Sequence, residues 1–348
     1  MASIPQGAIR FNTDSQKLEF YAQDQWFVMM SENVGLGTGG DTGAGARGLF
    51  AGGYNPTSSN VIDYINISST GNAVDFGDLL RAHYLNPGFS SSIRGVFSSG
   101  YTPLSPTTTN TIEYVTISST GNSTTFGSLN AGSVYGAGCA SNSTRGLIAG
   151  YYQLGNTIDY VTTASTGNSQ DFGDLTDGRA YPSGCSSSTR ALFGGGFYGD
   201  AQQLSRNTID YVSIATIGNA IDFGDLSTIR LTYGGAISNP IRGIFTTGSV
   251  YPGASASYVN DYVTIASRGN ASNFGSLSVN RFATMQVSSP TRGVFAGGLT
   301  FGSPANSYYN VIDYILISTQ GTAVDFGDLT SSNQRGYGGS CSNAHGGL

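Results

Sequence analysis

The stretch "NTIDYVSIATIGNAIDFGDLS", residues 207–227, decides the fold, because the chain contains six close copies of it. Each copy has an acidic residue followed by tyrosine, and a Phe-Gly pair always stands thirteen residues after the acid. The copies recur about every 50 residues, a period that is typical of propeller blades and other repeat arrays. The six acidic residues are Asp63, Glu113, Asp159, Asp210, Asp261 and Asp313.

Each repeat predicts four short β-strands. The third strand, for example residues 207–216, is rich in the β-branched and aromatic residues that favour strands. Its apolar residues point to both faces, as expected for a strand in a blade packed between two other blades. Gly with Asn supplies the tight turn between the third and fourth strands. We therefore predict an all-β fold: a six-bladed β-propeller with a small N-terminal β-hairpin module.

The two ends of the sequence complete this domain organisation. Residues 1–34 are assigned to the hairpin module and residues 35–348 to the propeller. Residues 334–344 match the first-strand pattern without a second strand after them, whereas the first repeat has only a poor first strand. Since an open ring leaves an unpaired edge, we expect the C-terminal strand to close the first blade.

The composition argues against several classes of protein. The chain has 348 residues, 10% of them charged, and a net charge of −6, so it lacks the basic surface of a nucleic-acid-binding protein. No apolar run near the start is long enough to span a bilayer, and no basic stretch precedes an apolar run there, so a secretory signal is not expected. Cys139, Cys185 and Cys341 are assigned to one repeat position, which suggests small buried fillers rather than disulfides.

The sequence offers no convincing catalytic, metal or cofactor site. The segment GLGTGG, residues 35–40, has dinucleotide-binding spacing, but the residues after it do not predict the helix that would face the phosphates. The two histidines, His83 and His345, are far apart, and no Cys/His cluster has metal-binding spacing. We therefore expect no enzyme activity, no catalytic residue, no metal and no cofactor.

One arginine precedes the second strand of every repeat. Six copies of a charge indicate a structural contact, because a single active site does not need six. Arginine can bind backbone carbonyls and a carboxylate together, so we predict that each arginine ties its own blade internally. His345 stands near this position in a seventh partial repeat and is interpreted as a degenerate remnant. The predicted structural ties are Arg47, Arg94, Arg145, Arg190, Arg242 and Arg292.

The loops between the second and third strands vary in length, whereas the other turns within the blades stay short. In an antiparallel blade these loops lie on the same face as the connections between blades. They combine aromatic residues with Ser, Gly and Asn, a composition common in binding loops. Two interpretations stay open: these residues bind a partner, or they only pack on neighbouring loops. The candidates are Tyr54, Asn55, Tyr101, Tyr151, Tyr152, Phe197, Tyr198, Tyr251, Phe301, Tyr308 and Tyr309.

Two resemblances follow from these motifs. The repeats resemble the kelch class of β-propellers in their period, in the diglycine that ends the second strand (Gly195-Gly196) and in the tyrosine-bearing strand after it. Kelch blades usually carry a tryptophan after that tyrosine, and here the Phe of the Phe-Gly pair is expected to take its packing role.

Residues 7–28 resemble attachment modules of bacteriophage tail-fibre and other virion proteins, on Gly7, Ile9, Arg10, Phe11, Asn12, Thr13, Asp14, Leu18, Glu19, Phe20 and Trp26. The implied virion-attachment residues are Ile9, Phe11, Leu18, Phe20 and Trp26.

The resemblance implies a non-enzymatic virion structural protein of a phage appendage, a tail fibre or baseplate, with host recognition through the variable propeller loops. Expected partners are other virion proteins, bound through the N-terminal module, and a host cell-surface glycan or protein. Neither nucleic acid binding nor membrane insertion is expected, and the protein is expected to form a homo-oligomer in a virion assembled in the host cytoplasm. Open alternatives are a purely structural or capsid-decorating protein, a cellular kelch-type scaffold and a kelch-like enzyme.

Overall fold

The structure is a computed structural model, and it describes residues 5, 8–12, 17–22, 25–28, 46–103, 106–132, 135–152, 155–198, 204–233, 235–252, 255–302, 305–330 and 334–348. The chain divides into two compact units, Met1–Leu36 and Gly37–Leu348. This boundary lies two residues beyond the one placed from the sequence. Residues 35–40, with the GLGTGG segment, lie outside the described residues.

The N-terminal unit contains a three-stranded antiparallel sheet in the order β1-β2-β3. Its strands are β1 (Ile9–Asn12), β2 (Lys17–Ala22) and β3 (Gln25–Val28). The hairpin expected from the sequence is the β1–β2 pair, in which Ile9 lies opposite Phe20. The third apolar segment supplies β3, where the Trp26 ring meets the ring of Tyr21 edge-on at 5.3 Å between centroids.

The second unit contains six four-stranded antiparallel sheets, the six blades of the predicted propeller. Blade 1 consists of β4 (Arg47–Ala51), β5 (Val61–Asn66), β6 (Val74–Asp78) and the last strand, β33 (Gly339–Ser342). Blade 2 consists of β7 (Gly88–Ser90), β8 (Arg94–Phe97), β9 (Thr111–Thr116) and β10 (Thr124–Ser128). Blade 3 consists of β11 (Gly138–Ser141), β12 (Arg145–Tyr151), β13 (Gly155–Thr162) and β14 (Gln170–Asp174).

The remaining three blades carry an additional two-stranded sheet in the loop between their second and third strands. Blade 4 consists of β15 (Ser183–Ser186), β16 (Arg190–Gly194), β19 (Thr208–Ser213) and β20 (Ile221–Asp225), with β17 (Phe197–Tyr198) and β18 (Leu204–Ser205) in its loop. Blade 5 consists of β21 (Ala236–Ser238), β22 (Arg242–Phe245), β25 (Asn260–Thr264) and β26 (Ser272–Gly275), with β23 (Gly248–Val250) and β24 (Ser255–Ser257) in its loop. Blade 6 consists of β27 (Met285–Ser288), β28 (Arg292–Ala296), β31 (Val311–Leu316) and β32 (Val324–Asp328), with β29 (Leu299–Thr300) and β30 (Ser307–Tyr308) in its loop.

The ring is closed by strand β33. It pairs antiparallel with β4, placing Gly339 opposite Ala51 and Ser342 opposite Gly48. The predicted closure of the first blade by the C-terminal strand is therefore confirmed. It removes the unpaired inner edge that β4 would otherwise expose.

The core lies between neighbouring blades, where each third strand is buried on both faces. One such cluster joins Leu49 and Phe76 of blade 1 to Phe97 and Val115 of blade 2, all of them buried. In each blade the third-strand tyrosine meets the fourth-strand phenylalanine edge-on, as Tyr211 meets Phe223 at 5.9 Å between centroids. The same contact recurs at 5.8–6.0 Å in the other blades, so each phenylalanine packs against the tyrosine of its own blade.

The three cysteines are free and buried, which confirms their prediction as fillers. Their assignment to one repeat position is wrong. Cys185 and Cys341 lie opposite Leu192 and Leu49 of the second strand, whereas the residue at that position in blade 3 is Ala140, opposite Leu147. Cys139 stands one residue earlier, and because strand side chains alternate it packs toward blade 2 beside Phe89.

Candidate recognition face and the contacts that hold it

Two faces of the propeller are named here by their loops. The turn face carries the short turns that join strands one to two and three to four of each blade. The loop face carries the variable loops between the second and third strands, together with the connections between blades. The described connections pair with these loops through single β-bridges, for example Tyr84 with Tyr101 and Phe282 with Leu299. Each of these bridges joins the connection before a blade to the loop of the same blade.

The six predicted tie arginines act near the turn face, between blades. Arg190 Nη1 donates to the carbonyls of Ile265 at 3.0 Å and Ala266 at 2.8 Å, both in blade 5. The Arg190 guanidinium also lies 5.0 Å from the ring centre of Tyr211 in its own blade. Equivalent bonds and ring contacts are made by Arg47, Arg94, Arg145, Arg242 and Arg292. These residues are structural ties, but the expectation that each ties its own blade through the carboxylate is wrong, because the side chain reaches the next blade.

The buried acids bind a different set of arginines, which the sequence reasoning missed. Arg230 Nη2 lies 2.9 Å from Asp261 Oδ2, and neither side chain is exposed to solvent. Burial lowers the pKa of Arg230, and the Asp261 charge opposes that shift. The same pairing recurs in three other blades, as Arg179–Asp210, Arg281–Asp313 and Arg335–Asp63. Each of these arginines lies in the connection before the first strand of its blade, so the ion pairs fasten the loop-face connections.

Blades 2 and 3 replace this ion pair with other groups. In blade 2, His83 Nε2 lies 3.6 Å from Glu113 Oε1; burial lowers the pKa of His83 to about 4 and raises that of Glu113. In blade 3, burial raises the pKa of Asp159, which accepts from Ser169 Oγ at 3.0 Å. The nearby Tyr151 hydroxyl opposes that rise. Tyr151 is only 2% exposed, so its prediction as a surface binding residue is wrong.

Six serines form a closed ring of hydrogen bonds around the axis. Each lies on the innermost strand of its blade, and its Oγ donates to the carbonyl of the equivalent serine in the preceding blade at 2.6–2.9 Å. The bond from Ser90 to Ser342 carries this ring across the closure of the propeller. The six residues are Ser90, Ser141, Ser186, Ser238, Ser288 and Ser342.

A second ring, nearer the loop face, is made by backbone groups, and five of the six bonds that would complete it are present among the described residues. Leu85 N donates to Tyr337 O at 2.7 Å, and Tyr181 N donates to Gly136 O at 2.7 Å. The residues at this position have φ between 54 and 71°, a left-handed conformation that costs a non-glycine residue about 1–2 kcal/mol. The hydrogen bonds across blades account for its recurrence. The six residues are Leu85, Gly136, Tyr181, Tyr233, Ala283 and Tyr337.

Two small cavities remain along the axis. One of about 30 Å³ lies beside the backbone ring, and one of about 50 Å³ lies beside the serine ring. Volumes of this size hold a few water molecules, whereas pockets for small-molecule ligands have volumes of about 300 Å³ or more. Neither axial cavity is large enough to enclose a substrate.

Residues 344–348 cross the turn-face end of the axis. His345 Nε2 lies 3.2 Å from Ser90 O, and Gly347 N lies 3.1 Å from His345 Nδ1. Because the carbonyl can only accept and the amide can only donate, we assign a neutral ring with its proton on Nε2. Burial lowers the pKa of His345 to about 4. His345 contacts Ser90 and Ser141 beside the axis and does not reach the carbonyls that the six arginines bind, so its interpretation as an arginine remnant stays a prediction.

On the loop face, seven tyrosines form a closed circuit of ring contacts around the axial mouth. Successive centroids are 4.6–6.3 Å apart, in the order Tyr84, Tyr101, Tyr135, Tyr152, Tyr181, Tyr233, Tyr337 and back to Tyr84. Only Tyr101 and Tyr152 were candidates from the sequence. The other five lie in the connections between blades. We call this set the tyrosine circuit.

The other sequence candidates are distributed around this circuit. Tyr54 contacts Tyr84 and Tyr308, and Phe301 reaches the circuit through Phe282. Phe197 and Tyr251 form a separate pair, and Tyr198 lies under the Arg206 guanidinium. Tyr309 Oη lies 3.3 Å from Thr300 Oγ1, and Asn55 Nδ2 donates to Gln334 O at 2.8 Å.

Three of these aromatic rings are well exposed, and each is held by a second ring. Tyr152 is 41% exposed and stacks on Tyr135 at 4.6 Å. Tyr251 is 40% exposed and meets Phe197 at 5.3 Å. Phe301 is 37% exposed and meets Phe282 at 4.6 Å. A ring that already packs against a second ring loses little conformational entropy when a partner binds over it. Such rings suit a contact surface.

The predicted attachment residues are described in part. Ile9 is 62% exposed, and Trp26 is half-buried with the Arg10 guanidinium 4.1 Å from its ring centre. The side chains of Phe11, Leu18 and Phe20 lie outside the described residues, although their backbones belong to β1 and β2. Within the described part of the chain there is no group of three His, Cys, Asp or Glu side chains that could hold a metal ion. The same residues include no helix able to cross a membrane.

Comparison with known proteins bears on the fold. No known protein family and no curated protein matches the chain. Among solved structures, that of YjhT is similar, with a TM-score of 0.59 and 12% sequence identity over 76% of this chain and 88% of YjhT. At this identity the likeness shows the fold alone. The six-bladed β-propeller is therefore shown, and the resemblance to phage proteins stays a prediction.

Proposed function

We propose that this protein is a non-enzymatic component of a bacteriophage virion, in an appendage such as a tail fibre or baseplate, and that it recognises the host through its loop face. The observation that carries this proposal is the arrangement of Tyr152, Tyr251 and Phe301. These exposed rings lie on loops that differ from blade to blade, each backed by another ring. Loops on a rigid scaffold are the usual place for recognition.

The rest of the molecule supports binding rather than catalysis. The repeated acids are buried in contacts with connection residues, as in the pair Arg230–Asp261. His345 is held by backbone groups at the axis, and His83 lies buried beside Glu113. The axial cavities are too small for a substrate. These groups are engaged in the fold, whereas the exposed rings of the loop face are suited to contact with a partner.

The N-terminal unit supports attachment to other virion proteins. Its sequence resembles phage attachment modules, and it forms a compact unit separate from the propeller. Among the predicted attachment residues, the exposed Ile9 and the half-buried Trp26 have described side chains that such a contact could use. In this proposal the small unit joins the particle while the propeller presents its loop face.

A purely structural or capsid-decorating role is the second candidate. The tyrosine circuit favours it, because rings that contact one another need no ligand to be stabilised. In that case the loop face docks another virion protein. The two candidates differ in whether the purified chain binds host cells.

Two measurements test the proposal. Gold-labelled antibody against the chain should decorate an appendage of purified virions in negative-stain images. Fluorescent full-length chain should bind susceptible cells, and Tyr152→Ala with Tyr251→Ala should weaken that binding, whereas Asn219→Ala on the turn face should not. Absence of label on virions contradicts the virion role. Labelled virions with no binding of the chain to cells would support the structural candidate.

A further inference from the structure

The axial mouth combines aromatic rings with an unpaired buried acceptor. Gln286 lines the cavity of about 30 Å³ and is 5% exposed. Its Nε2 donates to Thr246 Oγ1 at 2.6 Å and to the backbone carbonyl of Thr284 at 3.3 Å. Because a carbonyl can only accept, the second bond fixes the orientation of the amide. Its Oε1 is buried without a hydrogen-bond partner among the described residues. A buried acceptor without a protein partner is satisfied by water, or by a ligand hydroxyl that takes the place of that water.

This acceptor is specific to one blade. The equivalent positions of the other five inner strands carry small residues: Gly88, Cys139, Gly184, Ala236 and Ser340. They leave room around the axis into which the longer Gln286 side chain extends. The amide lies against Gly235, where a Cβ would come within 2.4 Å of the amide atoms. Asn86 lines the same cavity. Its Oδ1 is a second buried acceptor without a hydrogen-bond partner among the described residues.

The surroundings of these acceptors are aromatic and uncharged. Tyr233 of the tyrosine circuit lines the cavity itself, and none of the residues that line it carries a charge. Burial raises the pKa of Tyr233 and raises that of Tyr84 to about 12, so both hydroxyls are neutral near pH 7. A ligand with a formal charge would therefore find no opposite charge at the mouth. The chain's net charge of −6 further disfavours anionic ligands.

We propose that the mouth of the tyrosine circuit binds a neutral saccharide, which stacks on the tyrosine rings and donates one hydroxyl group to Gln286 Oε1. A sugar offers both required features, an apolar face of C–H groups and several hydroxyl donors. The cavity is too small for a sugar ring, so the ring lies among the tyrosines and one hydroxyl enters. This inference rests on the proposed function only in taking the loop face as the recognition face.

Ligand-observed NMR on the full-length chain tests this site. The probes are glucose, galactose, mannose and N-acetylglucosamine, with glucuronic acid as the charged comparison. We expect saturation transfer to at least one neutral sugar and none to glucuronic acid. Tyr152→Ala removes a stacking ring and should weaken the affinity for that sugar about tenfold.

Two variants examine the amide separately. Gln286→Leu should weaken sugar binding about tenfold through the lost hydrogen bond. Gly235→Ala keeps the glutamine but displaces its amide, and should weaken binding in the same direction. Tyr198→Ala is the matched control, because Tyr198 contacts Arg206 and lies outside the tyrosine circuit. Circular dichroism of each variant checks that it is folded.

The outcomes separate this inference from the proposed function. No transfer to any neutral sugar, or equal transfer in the wild type and the Tyr152 and Gly235 variants, overturns the saccharide site. Binding of the chain to cells together with no transfer to any neutral sugar overturns the saccharide site and leaves host recognition intact. Sugar binding without any binding to host cells supports the saccharide site and contradicts the recognition role.

Discussion

On the turn face the same contacts recur from blade to blade, whereas on the loop face each blade presents different side chains. Arg190 and its five counterparts all reach carbonyls of the next blade, and Asn219 Oδ1 similarly accepts from Asp174 N of the preceding blade. A contact repeated across every interface constrains both partners in all six copies. The loop-face rings make contacts that differ from one blade to the next, so their identity is free to vary.

The loop face nevertheless has a repeated layer beneath its surface. The buried pairs such as Arg281–Asp313 and the left-handed residues such as Tyr337 occupy equivalent positions in most blades. They fix the connections between blades, and the tyrosine circuit lies on that fixed backbone. The comparison teaches that the variable face stands on buried contacts that recur from blade to blade, with the exposed rings above them.

Loss of the closure should have the largest effect on stability. Deleting residues 334–348 removes β33, the Arg335 partner of Asp63 and the acceptor of Ser90 in the serine ring. Strand β4 then becomes an open edge, so we expect aggregation and a melting temperature lowered by more than about 10 °C. Thermal circular dichroism and light scattering measure both. A monodisperse truncated protein with unchanged melting contradicts the closure.

A buried pair of the loop face should matter more than a tie of the turn face. Arg230→Met leaves the Asp261 carboxylate buried and without its cation, which should lower the free energy of unfolding by about 3–5 kcal/mol. Arg190→Met removes bonds to two carbonyls, one of them at an exposed position that water can reach, and should cost about 1–2 kcal/mol. Urea denaturation measures both variants. Equal costs would mean that the two faces are fastened equally.

Acid should weaken the axial contact of His345. Its pKa is lowered from 6.5 to about 4, so the unfolded chain binds this proton more readily than the folded one. The contribution of His345 to stability is complete above about pH 6.5 and falls as the pH drops toward 4, by about 3 kcal/mol in all. Other groups also titrate in this range, so the measured quantity is the difference between wild type and His345→Gln in urea denaturation. A difference that stays constant from pH 7 to 4 contradicts the neutral assignment of the ring.

The sequence predicts the repeated part of this architecture well. The regular acid-to-phenylalanine spacing and the two-sided apolar third strand, as in Ile209 and Val212, are local patterns that each blade shows by itself. The closure by residues 334–344 follows from the same pattern. The arginine ties were placed correctly as structural residues but given the wrong partners, because a repeat read alone does not show which blade a long side chain reaches.

The features that we did not predict from the sequence depend on contacts between repeats. Arg179, Arg230 and Arg281 stand 31 or 32 residues before their acids, a regularity visible in the sequence. Arg335 pairs with Asp63, which becomes visible only once the chain is closed into a ring. The tyrosine circuit was missed for the same reason, although five of its members lie at comparable places before the first strands. Burial of Tyr151 depends on blade 3 lacking the arginine, an exception that no repeat pattern predicts.

The smallest effects on stability are expected for two exposed residues, Asn219 on the turn face and Tyr152 on the loop face, which should differ in their effect on binding. Asn219→Ala removes one exposed hydrogen bond, from Asp174 N at 3.1 Å, and should cost less than about 1 kcal/mol because water replaces the lost acceptor. Tyr152→Ala removes a ring that is 41% exposed, so its cost should also be small, about 1 kcal/mol. The two variants should therefore show similar urea midpoints and differ in binding, with only the Tyr152 variant weakened toward cells and neutral sugars. If both variants bind as well as the wild type, the exposed rings of the loop face pack on neighbouring loops and do not bind a partner. If the Asn219 variant loses binding while its midpoint is unchanged, recognition belongs to the turn face.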